Sequence, residues 1–158
     1  MSDPLPITLT INGETKQAFV QPWHTLLHVL RDVFHFTGTK RGCNQGVCGA
    51  CSVLADGEVV RGCLSLAVNC AGQDIQTIEG LADGDELSPV QQAFLDTGAV
   101  QCGFCMPGMI IASTAFLAEN PAPTETEIRE GLSGNLCRCS GYVKVIAAVQ
   151  TAAERMSS

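Results

Sequence analysis

Nine cysteines in 158 residues are the first feature with chemical meaning. Four of them, Cys43, Cys48, Cys51 and Cys63, follow the pattern C-x4-C-x2-C-x11-C. That is the plant-type spacing for a [2Fe–2S] cluster. The core of such a cluster is small and carries negative charge once four thiolates surround it. Three ligands on one tight loop wrap it, and the fourth comes from a neighbouring strand, here the one after Asp56-Gly57. Gly42, Gly46 and Gly49 allow unusual backbone angles and let N–H groups approach the sulfurs. Such N–H···S bonds, with limited water access, raise a reduction potential. Zinc sites favour paired CxxC or Cys/His knuckles, and this glycine-rich spacing departs from that grammar. Disulfides do not suit a reducing compartment.

A second set is Cys102 and Cys105, in CGFC ahead of one helix, with Cys137 and Cys139, in CRC ahead of the last. Helix N-termini stabilise thiolates through the dipole and free N–H groups. Two such starts side by side would hold four thiolates around one cluster. Spacing alone leaves zinc and a redox-active CxxC open as well, although no βαβ pattern surrounds this pair. Cys70 is the spare, read as a small buried hydrophobe. His24, His28 and His35 fall around the first helix and read as surface or packing residues, since both quartets are complete without them. Lys40 and Arg41 either dock a partner or offset cluster charge. Phe104, between two ligands, reads as a shield against water, and Trp23 and Tyr142 as packing residues.

The elements that must position these residues divide into two halves. The first, to about residue 80, reads as strands with one helix. Ile7, Leu9 and Ile11 alternate with threonines, Asn12-Gly13 makes a tight turn, and Thr15 to Val20 returns. Leu26, Leu27, Leu30 and Val33 have helical spacing behind a Thr25 cap. Cys51 to Leu54 and Glu58 to Arg61 form a second hairpin around Asp56-Gly57, and Ile75 to Ile78 closes the sheet. The second half reads as four helices. They start at Ser88-Pro89 (ending near Gly98), near Pro107 (running to Asn120), at the Thr124-x-x-Glu127 capping box, and at Tyr142 (running to about Arg155). Met109, Ile110, Ala112, Phe116 and Leu117 are the packed face of the second, part of which would suit a subunit interface. The break falls in GLADGDELSP, giving units 1–82 and 83–158.

The chain is 46% hydrophobic and 16% charged, so it folds as a globule. A net charge of −7 with no basic run excludes nucleic acid and anionic membrane surfaces as partners. MSDPLPITLT has no secretory or twin-arginine pattern, and Met109 to Ala112 and Val145 to Val149 are too short to span a bilayer. A cytoplasmic protein is the expectation.

Three segments carry a family resemblance: GTKRGCNQGVCGACSV from Gly38 to Val53, QCGFCMPGMI from Gln101 to Ile110, and GNLCRCSGYVKV from Gly134 to Val145. The chain resembles the iron–sulfur (small) subunit of the molybdenum hydroxylases, the xanthine oxidase, aldehyde oxidase and carbon monoxide dehydrogenase family. The likeness covers nearly the whole chain. It implies an α+β fold, an N-terminal β-grasp plant-type ferredoxin domain followed by a four-helix domain, each with one [2Fe–2S] cluster. It implies a large subunit with a molybdopterin-type molybdenum cofactor and a medium subunit with FAD, assembled as a dimer of heterotrimers. It assigns Cys102, Cys105, Cys137 and Cys139 to the molybdenum-side cluster and Cys43, Cys48, Cys51 and Cys63 to the FAD-side cluster. It places Gln101 and Cys139 against the pterin. No substrate turnover is expected from this chain alone. Two other readings are a free-standing two-cluster ferredoxin-like carrier and a zinc-bound interaction module.

Overall fold

The computed structural model describes residues 3–157; Met1 and Ser2, at the start read as leader-free, lie outside them. Strand β1, Leu5–Ile11, buries Ile7, Leu9 and Ile11 and leaves Pro6 and Thr8 exposed, as a period of two dictates. Asn12 and Gly13 both have positive φ, 52° and 80°, which a two-residue hairpin turn requires. β2, Glu14–Val20, returns antiparallel with Ile11 opposite Glu14. A second hairpin joins β3, Ser52–Ala55, to β4, Glu58–Arg61, through Asp56-Gly57. β5, Asp74–Gln76, runs parallel to β1 and antiparallel to β3, and the sheet order is β2-β1-β5-β3-β4. The strand expected to close the sheet therefore fills its middle. It is also shorter than expected, because Ile78 already begins a 3-10 turn, Ile78–Gly80.

Helix α1, Leu26–His28, starts where Thr25 accepts a hydrogen bond from the His28 N–H. It then widens into a π turn, Val29–Val33, instead of continuing regularly. The wide turn is closed by the Phe34 N–H donating to Val29 O at 3.0 Å. Its effect is to bury Leu26, Leu27, Val29 and Leu30 together. This segment covers the sheet, and its Leu26, Val29 and Leu30 join Leu9, Ile11, Val53 and Ile75 in the first core.

The second core lies among four helices. α2, Pro89–Asp96, begins with a Ser88/Gln91 capping box and is followed by Gly98 at φ 65°. α3, Met106–Glu119, is apolar around most of its circumference and buries Met106, Met109, Ile110, Ile111, Ala112 and Leu117. Such a helix must be covered on several sides, and α3 packs against β3 and β4 as well as against α2, α4 (Glu125–Gly131) and α5 (Val143–Met156). Phe116, expected on the packed face, is half-buried. No helix among the described residues is long and apolar enough to cross a membrane.

Candidate metal centres

The first cysteine loop is built from positive-φ positions. Asn44, Gly46 and Gly49 have φ of 56°, 76° and 73°. That curl points successive N–H groups inward. Cys43 N donates to Cys48 Sγ at 3.4 Å, Gln45 N and Cys48 N each donate to Cys43 Sγ at 3.4 Å, and Gly46 N donates to Cys63 Sγ at 3.2 Å. The N–H groups of Cys48 and Gln45 lower the pKa of Cys43 to about 6. A Cβ on Gly42 would stand 2.8 Å from Cys48 Sγ, so the chain approaches the sulfur where only glycine fits. Cys51 and Cys63 are buried with Leu27. Burial raises the pKa of Cys51 to about 11. Cys63 sits in a turn just past β4, where the sequence pointed to a strand, and Gly62 N fastens that turn to Cys51 O at 3.1 Å.

The second quartet comes from two loops. Cys105 is the residue before α3. Burial, followed by its hydrogen bond with Cys137, raises its pKa to about 12. Cys102 and Cys139 are exposed, with sulfurs 3.6 Å apart. Cys137 and Cys139 do not sit directly on the start of α5, because Ser140, Gly141 and Tyr142 intervene. Tyr142, with φ 68°, folds that link back on itself. Its hydroxyl accepts from Cys137 N at 2.9 Å and donates to Asn135 O at 3.3 Å. Tyr142 therefore holds a cysteine loop, a role beyond the packing expected of it.

Within each quartet the cysteines lie close together. Cys43 and Cys48 exchange N–H···S bonds at 3.4 Å, and Cys51 is buried beside Cys63, in the first. Cys102 Sγ lies 3.6 Å from Cys139 Sγ, and Cys105 is beside Cys137, in the second. Among the described residues, no three His, Cys, Asp or Glu side chains converge where a single metal ion would sit. Four cysteines gathered in this way, with backbone N–H groups on their sulfurs, suit a two-iron core with two thiolates for each iron.

Asn135 joins the two cysteine loops, a role that its place in the GNLCRCSGYVKV motif does not mark. It is buried, and its Nδ2 donates to Gly49 O at 3.2 Å and Gly108 O at 2.9 Å. Its Oδ1 accepts from both Arg61 Nη atoms at 3.4 Å. Arg61 also donates to Gly134 O at 2.7 Å and to Ser52 Oγ. Beside this clasp, Leu136 N donates to Cys48 O at 2.9 Å, so neighbours of ligand candidates in both quartets are directly hydrogen-bonded. The GN preceding the CRC was legible as part of a motif but carried no mark of a joint.

The remaining residues singled out by type fall around these loops. Arg41 pairs with Asp32 at 2.7 Å, and His28 faces the same carboxylate at 2.8 Å while stacking on His24. Lys40 donates to Thr37 O at 2.8 Å. Phe104 is exposed, and its ring lies 3.5 Å from where a Cβ on Gly42 would be, so it stands over the first loop. Cys70 is buried in the first core. Gln101 is exposed beside Cys102.

Comparison with known proteins agrees with this arrangement. Residues 9–88 match the 2Fe-2S iron-sulfur cluster binding domain and residues 77–150 the [2Fe-2S] binding domain. The chain is 46% identical to the nicotinate dehydrogenase small FeS subunit of Eubacterium barkeri, over 98% of each chain. It is 49% identical to the xanthine dehydrogenase iron-sulfur-binding subunit of Escherichia coli O157:H7, over 94% of each. The chain belongs to the iron–sulfur small subunits of the xanthine oxidase family of molybdenum hydroxylases. Its fold follows a quinoline 2-oxidoreductase chain from Pseudomonas putida 86 with a TM-score of 0.95 and 47% identity, covering 99% of this chain and 98% of that one. As such a small subunit, it is the electron-carrying part of an oxidoreductase that works with partner subunits. The β-grasp ferredoxin domain followed by the helical cluster domain is the order expected from its motifs.

Proposed function

We propose that Cys43, Cys48, Cys51 and Cys63 hold one [2Fe–2S] cluster and Cys102, Cys105, Cys137 and Cys139 the other. Electrons enter at the second quartet from a molybdopterin-type molybdenum centre on a large subunit. They leave through the first quartet to FAD on a medium subunit. The observation that supports this reading is the set of backbone N–H groups aimed at cysteine sulfurs in both quartets, with the Leu136–Cys48 hydrogen bond between them. When bound, each cluster accepts one electron and gives it up again. The chain's own residues supply thiolates, direct N–H groups at the sulfurs, and keep two cluster loops at a fixed separation.

Gln101 and Cys139 are the proposed pterin contacts. Both are exposed next to the Cys102–Cys139 pair, so a partner can reach them without rearranging the core. The division into 1–82 and 83–158 rests on the two separate cores, although Ile78 and Leu81 already pack on the helical one. A dimer of heterotrimers in the cytoplasm completes the proposal. Relatives are named for nitrogen heterocycles and for aldehydes alike, so the substrate of the complex is set by a partner subunit and not by this chain.

Iron and sulfide analysis of the intact complex tests the ligand assignment. About four irons per chain and two distinct paramagnetic signals on reduction are expected, since each set of four cysteines takes one two-iron cluster. Iron near half that value would remove one quartet from the assignment. Purification of this chain free of larger partners, with full iron content, would favour the free-standing carrier.

A further inference from the structure

Ser140 lies between the last cysteine ligand and α5. Its Oγ is 3.2 Å from Cys137 Sγ, and its own N–H donates to the same sulfur at 3.4 Å. Tyr142 N donates to Ser140 Oγ at 3.2 Å. The hydroxyl therefore already accepts one hydrogen bond, and its single proton is free to point elsewhere. A metal-bound thiolate has no proton to give. Between Ser140 and a ligating Cys137, the hydroxyl must be the donor, and the bond is charge-assisted.

The setting keeps this bond in place. Ser140 and Cys137 are both half-buried, which limits competition from water. Tyr142 closes the loop from the other side by accepting the Cys137 N–H. The hydrogen bonds to sulfur described for the first quartet come from backbone N–H groups, which survive any side-chain substitution. At the second quartet one donor is a side chain, so its contribution depends on residue type.

We propose that Ser140 is a positioning residue that sets the reduction potential of the second cluster, through an O–H···S bond to Cys137. This rests on the reading that Cys137 is a cluster ligand. One electron enters the cluster and one leaves; no proton moves, and the Ser140 hydrogen stays on Oγ. The added electron raises the negative charge on the cysteine sulfurs, and a donor bonded to one of them stabilises the reduced form more than the oxidised form. The bond thereby sets how readily the second centre accepts an electron and how steeply that electron passes to the first.

The test is a redox titration of the intact complex, followed by the separate paramagnetic signals of the two clusters. In S140A the second cluster should become harder to reduce, by about a tenfold change in its reduced-to-oxidised ratio at fixed potential, or about 59 mV for one electron. The first cluster is the internal reference and should not move. S140T keeps the hydroxyl and should restore the native value. Where S140A fails to assemble, S140C keeps the volume with a weaker donor and should fall between the two. Full iron content with an unmoved second potential, or equal shifts of both clusters, would overturn the assignment of Ser140. Loss of one cluster already in the native protein would instead overturn the ligand reading beneath it.

Discussion

A methyl group on Gly108 would collide with the Gly49 carbonyl oxygen and come within 3.1 Å of Ala50 Cα. Both atoms are backbone in the first cysteine loop, so no side chain can swing aside. Gly108 lies three residues after Cys105 and Gly49 directly after Cys48, so α3 is packed hard against the first cysteine loop here. Overpacking at such a site costs about 1–3 kcal/mol. We expect G108A to lower the midpoint of thermal unfolding and to loosen both clusters, seen as faster iron loss to a chelator. A native rate of iron release would show that α3 can shift away at little cost. Other decisive residues are as specific in kind. Tyr142 matters for the reach of its hydroxyl and Asn135 for its two-sided amide, properties that composition does not reveal.

Among the elements, α4 is the shortest of the helical domain's four helices and leans most on its cap. Thr124 Oγ1 accepts from Glu127 N at 3.3 Å, and Thr124 N donates to Glu127 Oε2 at 2.7 Å. The helix contributes one fully buried side chain, Ile128, to the core. Loss of the cap in T124A should destabilise the protein by about 1 kcal/mol, read from chemical denaturation. The Thr124 hydroxyl, donating to Glu127 Oε2 at 2.6 Å, and then the Thr124 N–H hold the Glu127 carboxyl below its usual range. A depressed carboxylate adds stability above its unfolded-state pKa and loses it as pH falls through the folded-state value. T124A should therefore lose less stability than the native protein on acidification through that window, and an unchanged acid slope would show that the box does not hold Glu127. Capping boxes and hairpin turns were legible because their partners lie within a few residues. The π turn after α1 was not, because it answers to the sheet it covers, not to its own spacing.

At the scale of the molecule, one buried amide reaches four chain segments next to ligand candidates: Gly49 after Cys48, Arg61 before Cys63, Gly108 after Cys105, and its own stretch before Cys137. N135A would remove a donor that the Gly49 and Gly108 carbonyls share; Gly49 O keeps its bonds from Ser52 N and Ser52 Oγ, so the cost is the net value of the lost bonds, about 0.5–1.5 kcal/mol each. We expect the variant to assemble both clusters but to weaken the magnetic interaction between them when both are reduced, and to slow electron passage from second to first. Unchanged interaction and rate would mean that the Leu136–Cys48 bond and packing of α3 on β3 suffice to hold the spacing.

The residue types and spacings by themselves determined the two cysteine sets, the hairpins, the helix starts and the family, because each depends on neighbours a few positions away or on contiguous motifs. The tertiary structure alone decided that β5 lies mid-sheet beside β1, and that Asn135, Arg61, Ser140 and Tyr142 hydrogen-bond within and between the cysteine loops. The physical reason is separation along the chain. The Asn135–Gly49 bond spans 86 positions, and the Arg61–Gly134 bond spans 73, so these partners meet only where the tertiary fold brings distant segments together.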